Sequence, residues 1–426
     1  GPMKSDMITP FLKARHGWSK AQIIHPDLYE ILTHTEGVVV FHEQVIQIIA
    51  TMTGVSLATA DEKRRSLGDR AGQQEVCDWF FPAATAKGYE LSVVQEIWDV
   101  LRAFASFGFC KAHAAAFAMP TYQSAWLKTH YPAAFLAGVL THDPGMYPKR
   151  LIVDEARQLG ITIAPLDVNV SDSAYRVEDH GNAIRIALST VSGISDGEVQ
   201  SIIAGRPYID LNDFVRRSGA SAPVTESMIL TGAFDALHVD VNRRDLLLHL
   251  SDLQKSPSAA VSGAQLNLGF EPPALISSGL PAMTAAESVK YEVDRLGIDM
   301  SRHMIEFYGD FLNAIGAVRS SDLLKQRSQS SVLVAGIKVA MQTPPVRSGK
   351  RVIFLTLDDG YGLSDSTFFT DVQGEYANVL YSTSLLLVRG VTRRTGARGI
   401  SIRATGAWDL RAAYESWSTK QSTLAI

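Results

Sequence analysis

The apolar residues of this chain change period along its length, and that change limits the fold more than any bulk property. From about residue 20 to 160 they recur with the 3.6-residue period of helices. Around 174–188, and again from 332 to about 405, they alternate as strands do. A chain of 426 residues that switches in this way is a multidomain α+β protein. No repeat of the whole chain is present.

Local signals mark the elements. In HEQVIQIIATMTG, Val45, Ile48, Ile49 and Met52 follow the i, i+3, i+4, i+7 rule, and Gly54 ends the predicted helix. SLATADEKRRSLG follows, with Ser56 as N-cap and Gly68 as stop, and exposes Lys63, Arg64 and Arg65 together. A further helix ends at Gly160. AYRVED and AIRIAL flank His180-Gly181-Asn182, a hairpin signal. LSTVSGISDGEVQSII then places Leu188 and Val191 before a Gly193-Ile194-Ser195 turn and a helix with Val199 and Ile202. VTESMILTGAFDAL reads as a second helical unit. Ser, Ala, Gly and Pro from Lys255 to Met283 indicate a linker. Thr284 and Glu287 have capping-box spacing, and Gly297 ends the helix they open. Five short strands close the chain, VLVAGIKVA, VIFLTL, LSDSTFF, LLLVRGV and ISIRATG, with a helix between the third and fourth. That order matches a five-stranded OB barrel.

Composition excludes several classes. With 46% hydrophobic and 20% charged residues the chain is globular with sizeable cores. The net charge is −4, so any surface for nucleic acid has to be local. Cys77 and Cys110 lack metal-site or disulfide spacing and fit a reducing cytosol. No apolar run approaches the roughly 18 residues of a membrane span. Gly1-Pro2-Met3 reads as the protease scar of an expression tag, not as a signal peptide.

The stretch from Leu101 to Pro132 mixes Phe104, Phe107, Phe109, Phe117, Tyr122, Trp126 and Tyr131 with Lys111, His113, Lys128 and His130. Such a surface suits a polyanion that carries flat bases; the plainer reading is a buried helical hairpin with amphipathic ends. Lys63-Arg64-Arg65 with Arg70 is either a solvated charged face or a pair of guanidiniums clamping a triphosphate. Gly193-Ile194-Ser195 resembles the turn of a helix-hairpin-helix, whose backbone N–H groups approach a DNA phosphate, or is a plain helix–helix turn. The barrel offers Lys338, Arg347, Lys350, Arg351, Arg389, Arg393, Arg394, Arg398 and Arg403, and Phe354, Phe368 and Phe369 can stack on bases where they face outward. Asp358-Asp359 looks like a metal pair, but neighbouring strand residues point to opposite faces, so it reads as the entrance to a turn. Gln265-Leu266-Asn267-Leu268-Gly269-Phe270 resembles the short peptides that anchor into a sliding-clamp pocket.

Taken in order, FHEQVIQI, ADEKRRSLG, FGFCKAHAAAFAMPTYQSAWLKTHYPAAF, the SGI turn, TGAFD and the barrel strands resemble the C-terminal half of a bacterial C-family DNA polymerase, the polymerase III alpha-subunit family. The likeness runs from about Pro10 to Leu410. Asp69-Arg70 in place of a basic pair, Cys110 in place of an asparagine, and an end soon after the barrel make it similar to the error-prone, ImuC-type branch. The resemblance implies helical fingers over 1–167, a helix-hairpin-helix DNA-binding region over 168–255, a linker with the clamp peptide over 256–283, a helical connector over 284–327, an OB-fold over 328–412 and a tail over 413–426. It implies nucleotide contacts at Arg64, Arg65, Lys111 and His113, with Tyr122, Gln123 and Lys128 as weaker ones. DNA contacts fall at Gly193, Ser195, Lys338, Arg351, Arg389 and Arg393, and clamp contacts at Gln265, Leu266, Leu268 and Phe270.

The full-length enzyme would use Mg2+ and deoxynucleoside triphosphates on palm aspartates that this sequence does not match. The chain alone is therefore expected to bind DNA without polymerising, with no bound cofactor and no metal site. Implied partners are primer–template and single-stranded DNA, the sliding clamp and an ImuB-type mutasome protein, in a cytoplasmic, nucleoid-associated setting without a membrane. Three alternatives stay open: a replicative alpha-subunit fragment, a pure protein-docking module, and an unrelated helical scaffold with an RNA-binding barrel.

Overall fold

The computed structural model describes residues 8–104, 109–143, 145, 147–255, 274–344, 351–394, 396 and 399–424. Two compact units make up the chain, 1–126 and 127–426.

The first unit is helical. α1 (Ile8–Arg15) and the single turn α2 (Tyr29–Leu32) precede α3 (His42–Thr53), α4 (Leu57–Ser66), α5 (Arg70–Ala86) and α6 (Leu91–Phe104). The apolar spacing in α3 puts Val45, Ile48, Ile49 and Met52 inside. They meet Phe80 of α5 and Val94, Ile97 and Trp98 of α6 in one core. Each such side chain stabilises by roughly 1.5–3 kcal/mol when fully buried. Gly54 adopts φ 74°, where a side chain would be strained, and its N–H closes α3 on the Ala50 carbonyl. Ser56 caps α4 by accepting the Thr59 N–H.

α7 (Lys111–His130) behaves differently: none of its residues is buried. Phe117, Met119, Tyr122 and Trp126 are all exposed. The buried-hairpin reading therefore fails for α7, which is a surface element, while Leu101 and Phe104 before it are buried. The division between the units falls within it.

The second unit begins with α8 (Pro132–His142) and α9 (Lys149–Gln158), followed by β1 (Thr162–Ala164), β2 (Arg176–Glu178) and β3 (Ala183–Arg185). β2 and β3 form the expected antiparallel hairpin, with Val177 opposite Ile184. β1 adds a parallel edge to β3; at three residues it is too short to show alternation in sequence. α10 (Asp196–Ala204), α11 (Leu211–Arg217), α12 (Ala222–Leu230) and α13 (Arg243–Lys255) share a core with this sheet through Val199, Ile202, Phe214, Met228 and Leu246. α14 (Ala285–Leu296) opens on the Thr284–Glu287 capping box as read. A 3-10 turn at Met304–Tyr308, then α15 (Gly309–Ala314) and α16 (Ser320–Leu323), lead into the barrel.

β4 (Ser331–Gln342), β5 (Ile353–Asp358), β6 (Leu363–Phe368), β7 (Leu385–Arg394) and β8 (Ile400–Asp409) close in the order β4-β5-β6-β8-β7. α17 (Thr370–Ser382) lies between the third and fourth strands. All pairings are antiparallel except β6 with β8, which join in parallel through Ser366↔Ile402 and Thr367↔Arg403. Leu386 and Val388 of β7 point inward with Phe368 and Ile402. Leu385 and Leu387 are buried on the opposite face under Leu410 of α18 (Leu410–Leu424). A strand covered on both faces loses its alternation, which is why LLL reads as a continuous apolar run. Among the described residues no helix is long and apolar enough to cross a membrane.

Candidate nucleic-acid interface

The first turn of α3 organises the expected nucleotide contacts. Glu43 accepts the Lys111 N–H at 2.8 Å and the Ala112 N–H at 3.2 Å, and so caps α7. Burial pushes its carboxyl up, but these N–H donors outweigh that and hold it below the ordinary value. Its neighbour His42 meets Arg64 through Nδ1 at 3.1 Å. One helix turn therefore ties Arg64 on α4 to the start of α7, where Lys111 lies 5.9 Å over the Phe41 ring and the His113 ring meets that of Phe117 at 4.6 Å, tilted by 52°. Lys111 and His113 are exposed, as are Tyr122, Gln123 and Lys128.

Contrary to the reading from sequence, Lys63, Arg64 and Arg65 do not stand out into solvent together. Arg64 and Arg65 both bind one carboxylate, Asp61, at 2.8 and 2.7 Å, and Arg64 is largely covered. Lys63 pairs with Glu75 and lies over Trp79. Hydrogen bonding by Arg64 depresses the Asp61 carboxyl, so Asp61 stays a carboxylate at neutral pH and a triphosphate would have to compete with it.

The Gly193-Ile194-Ser195 turn has the expected shape. Gly193 needs its glycine for φ 81°, not for space. Its donors, however, are largely used. Ile194 donates to the Val191 carbonyl, and Ser195 donates both its N–H and its hydroxyl to Glu198. Glu198 also takes the Ser221 N–H at the start of α12. The Ser195 and Ser221 N–H groups pull the Glu198 carboxyl down to about 2. An internal carboxylate thus sits where the sequence led us to expect a phosphate, and the expected Ser195 contact is corrected accordingly.

The barrel keeps most of its expected cations outside. Arg351, Arg389, Arg393 and Arg403 are exposed. Lys338 is a correction: its ammonium donates to the Leu380 carbonyl at 2.7 Å, and burial lowers its pKa. Arg394 is turned to the Leu324 carbonyl. Phe368 faces the core, while Phe354 and Phe369 face out. Arg393, Arg403 and Phe369 line one groove of about 610 Å³ over β6, β8 and β7. Arg403 lies 5.6 Å over Phe369, and Arg389 lies 5.4 Å over Trp408. Trp408 was missed in sequence; strand alternation after Ala407 was the available signal. Arg347, Lys350, Arg398 and the clamp peptide Gln265, Leu266, Leu268 and Phe270 lie outside the described residues.

Comparisons with known proteins bear on the same segments. A family model described as "Bacterial DNA polymerase III alpha subunit finger domain" matches residues 1–88, and one described as "Helix-hairpin-helix motif" matches 160–246. An error-prone DNA polymerase of Symbiobacterium thermophilum is 33% identical over 94% of this chain and 42% of its own length. The DNA polymerase III subunit alpha of Escherichia coli strain K12 is 30% identical over 98% of this chain and 38% of its own. This chain belongs to the bacterial C-family DNA polymerases. An error-prone polymerase of Bdellovibrio bacteriovorus is 29% identical over 93% of the chain and 39% of its own length. The chain thus spans about two fifths of the length of these curated relatives. The finger-domain match includes Arg64 and Arg65 and stops before Lys111 and His113; the helix-hairpin-helix match includes Gly193 and Ser195.

Asp358 and Asp359 hold the turn after β5, as read: Asp358 accepts the Gly360 N–H and Asp359 the Tyr361 N–H. Sequence reading did not see that Asp358 also joins Asp154 and His303 in a buried group. The partners lie on three separated segments, so no spacing rule reveals them.

Proposed function

We propose that this chain is the fingers, helix-hairpin-helix and OB part of an error-prone DNA-directed DNA polymerase that serves damage-induced mutagenesis and translesion synthesis. Its task is to grip DNA, with single-stranded template in the barrel groove and primer–template along the helical region. One observation carries this reading: the exposed guanidiniums of Arg393 and Arg403 stand with the exposed ring of Phe369 in a single groove on the barrel, where Arg403 lies over that ring and also pairs with Asp371 at 3.3 Å. A ring stacks on any base, and a guanidinium neutralises the backbone between bases, so such a groove holds single strands of any sequence. Asp69-Arg70 and Cys110 support the error-prone branch over the replicative one.

Arg64, Arg65, Lys111 and His113 are the proposed contacts to the incoming nucleotide, and Mg2+ belongs with that nucleotide in the full-length enzyme. The sliding clamp, through Gln265–Phe270, and an ImuB-type protein are the proposed partners, in the cytoplasm at the nucleoid.

Fluorescence anisotropy with single- and double-stranded oligonucleotides over a salt series tests the proposal. Tighter binding of single strands, falling steeply with salt, is expected. Indifference to both strand type and salt would count against any nucleic-acid role. Primer extension by this chain alone should be undetectable.

A further inference from the structure

We propose that Asp154, His303 and Asp358 form a site for one divalent transition-metal cation of the zinc class, joining α9, the 3-10 turn at Met304–Tyr308 and the end of β5. The three residues are 1–2% exposed. Their potential ligand atoms lie within 4.8 Å of one another.

The spacing decides between a hydrogen-bonded cluster and a metal site. His303 Nε2 stands 3.6 Å from Asp154 Oδ2 and 3.5 Å from Asp358 Oδ2. Both distances are too long for good hydrogen bonds. They match the separation of two ligand atoms on one tetrahedral ion, since metal–ligand bonds of about 2.0–2.2 Å put neighbouring ligands roughly 3.3–3.6 Å apart. These same three atoms, Asp154 Oδ2, His303 Nε2 and Asp358 Oδ2, are buried without a hydrogen-bond partner. Buried polar atoms left in that state are rare, and here three converge.

Each carboxylate is also held for the task. Asp154 Oδ1 takes Arg157 at 2.6 Å, and Asp358 Oδ1 takes the Gly360 N–H at 3.0 Å. One oxygen of each is thus fixed by a donor while the other points inward, the arrangement in which an outer shell orients ligands. Asp299, buried with both oxygens unpartnered, adds a third carboxylate against the single Arg157 guanidinium. With all three carboxyls ionised and His303 neutral, the state that would bind a metal, two negative charges lack a counter-charge, and a dication supplies it. Burial, helped by the neighbouring Asp299 and Asp358 carboxylates, pushes the Asp154 carboxyl up to about 7 against the pull of His303 and Arg157, and burial raises Asp299 as well.

One contact has to change on loading. His303 Nδ1 accepts the Ile305 N–H at 3.2 Å, which leaves the ring proton on Nε2. A metal at Nε2 requires that proton to move to Nδ1, so this long cap bond is given up. Any proton shared by the carboxylates leaves to solvent. The donor set, one imidazole and two carboxylates, suits zinc better than magnesium, which prefers oxygen ligands alone. A water would complete the tetrahedron.

The test uses the whole chain free of any affinity tag. Because the site is buried, the chain is refolded from denaturant with Zn2+ or Co2+, freed of excess metal by gel filtration, and analysed by mass spectrometry of the metal. We expect close to one retained ion per chain, a raised Tm, and the intense visible bands of tetrahedral cobalt. Asp358→Asn and His303→Gln should each weaken zinc binding by about tenfold or more, while the exposed Asp252→Asn leaves it unchanged. Retention of far less than one ion, with no Tm shift, would overturn the site, as would undiminished retention in both variants. Should the variants fail to fold, the cobalt spectrum of the unaltered chain decides: an octahedral, aquo-like spectrum overturns the proposal. None of these readouts depends on DNA binding.

Discussion

Arg64 and Arg65 on α4, and Arg389 and Arg393 on the barrel, are cations of one kind placed against different neighbours. The first pair shares the carboxylate of Asp61. Among the described residues the second pair meets no carboxylate; Arg389 lies over Trp408, and Arg393 lines the groove. The helix-hairpin-helix turn repeats the first situation, with Glu198 on its donors. A ring leaves a guanidinium its charge and most of its N–H groups, whereas a carboxylate takes both. Availability for an external anion is therefore set by the inner partner, not by the residue type.

The largest effect expected from this contrast lies in the barrel. Phe369→Ala or Trp408→Ala should each weaken single-strand binding by about 1–3 kcal/mol, as loss of one stacking platform does, read by anisotropy. Arg393→Ala should lower the slope of log affinity against log salt by about 0.7. If the rings can be removed without effect, the contrast fails on its barrel side.

Next comes the carboxylate of the turn. Glu198→Gln should cost about 1 kcal/mol of stability at neutral pH, as loss of a cap does, measured by urea unfolding. Its folded pKa of about 2 lies below the usual 4.5. The extra stability is thus complete above about 4.5 and is lost as pH falls towards 2. The gap between Glu198→Gln and the unaltered chain should close over that window. A gap that persists at pH 2 would show that Glu198 acts by shape rather than by charge.

A smaller effect should follow from freeing the first pair. Exposed ion pairs are worth about 0.2–1 kcal/mol, so Asp61→Asn should raise affinity for inorganic triphosphate by a few-fold. No gain would mean that Asp61 does not compete for those guanidiniums. The smallest effect belongs to α7: Phe117→Ser and Tyr122→Ser should change stability by less than about 0.5 kcal/mol, because neither side chain is buried.

Much of the fold was open to sequence reading. α3, the hairpin and the five strands are elements whose partners are periodic or adjacent, so spacing exposes them. The site was less open. The residues that control its cations, Glu43 and Asp61, were passed over as ordinary helix acids. Glu43 reaches α7 across 68 positions, and Glu198 reaches Ser221 across 23. Lys338 went wrong for a related reason: alternation assigns a face, but cannot show a helix end, with the Leu380 carbonyl, waiting on that face. The surface position of α7 was one of two readings of its sequence, because Phe117, Tyr122 and Trp126 would suit a core as well as a surface.

The parallel join of β6 to β8 is only two residue pairs long, and one of those pairs, Thr367 with Arg403, lines the groove. A barrel unzips most easily at its shortest join. A nucleic-acid strand lying in the groove would bridge that join like a clasp. Closure of the barrel and occupancy of the groove then become one coupled equilibrium: each stabilises the other by the same amount. Amide exchange at Thr367 and Arg403 would slow in proportion to DNA bound, so the weakest join in the barrel would also report what the barrel holds.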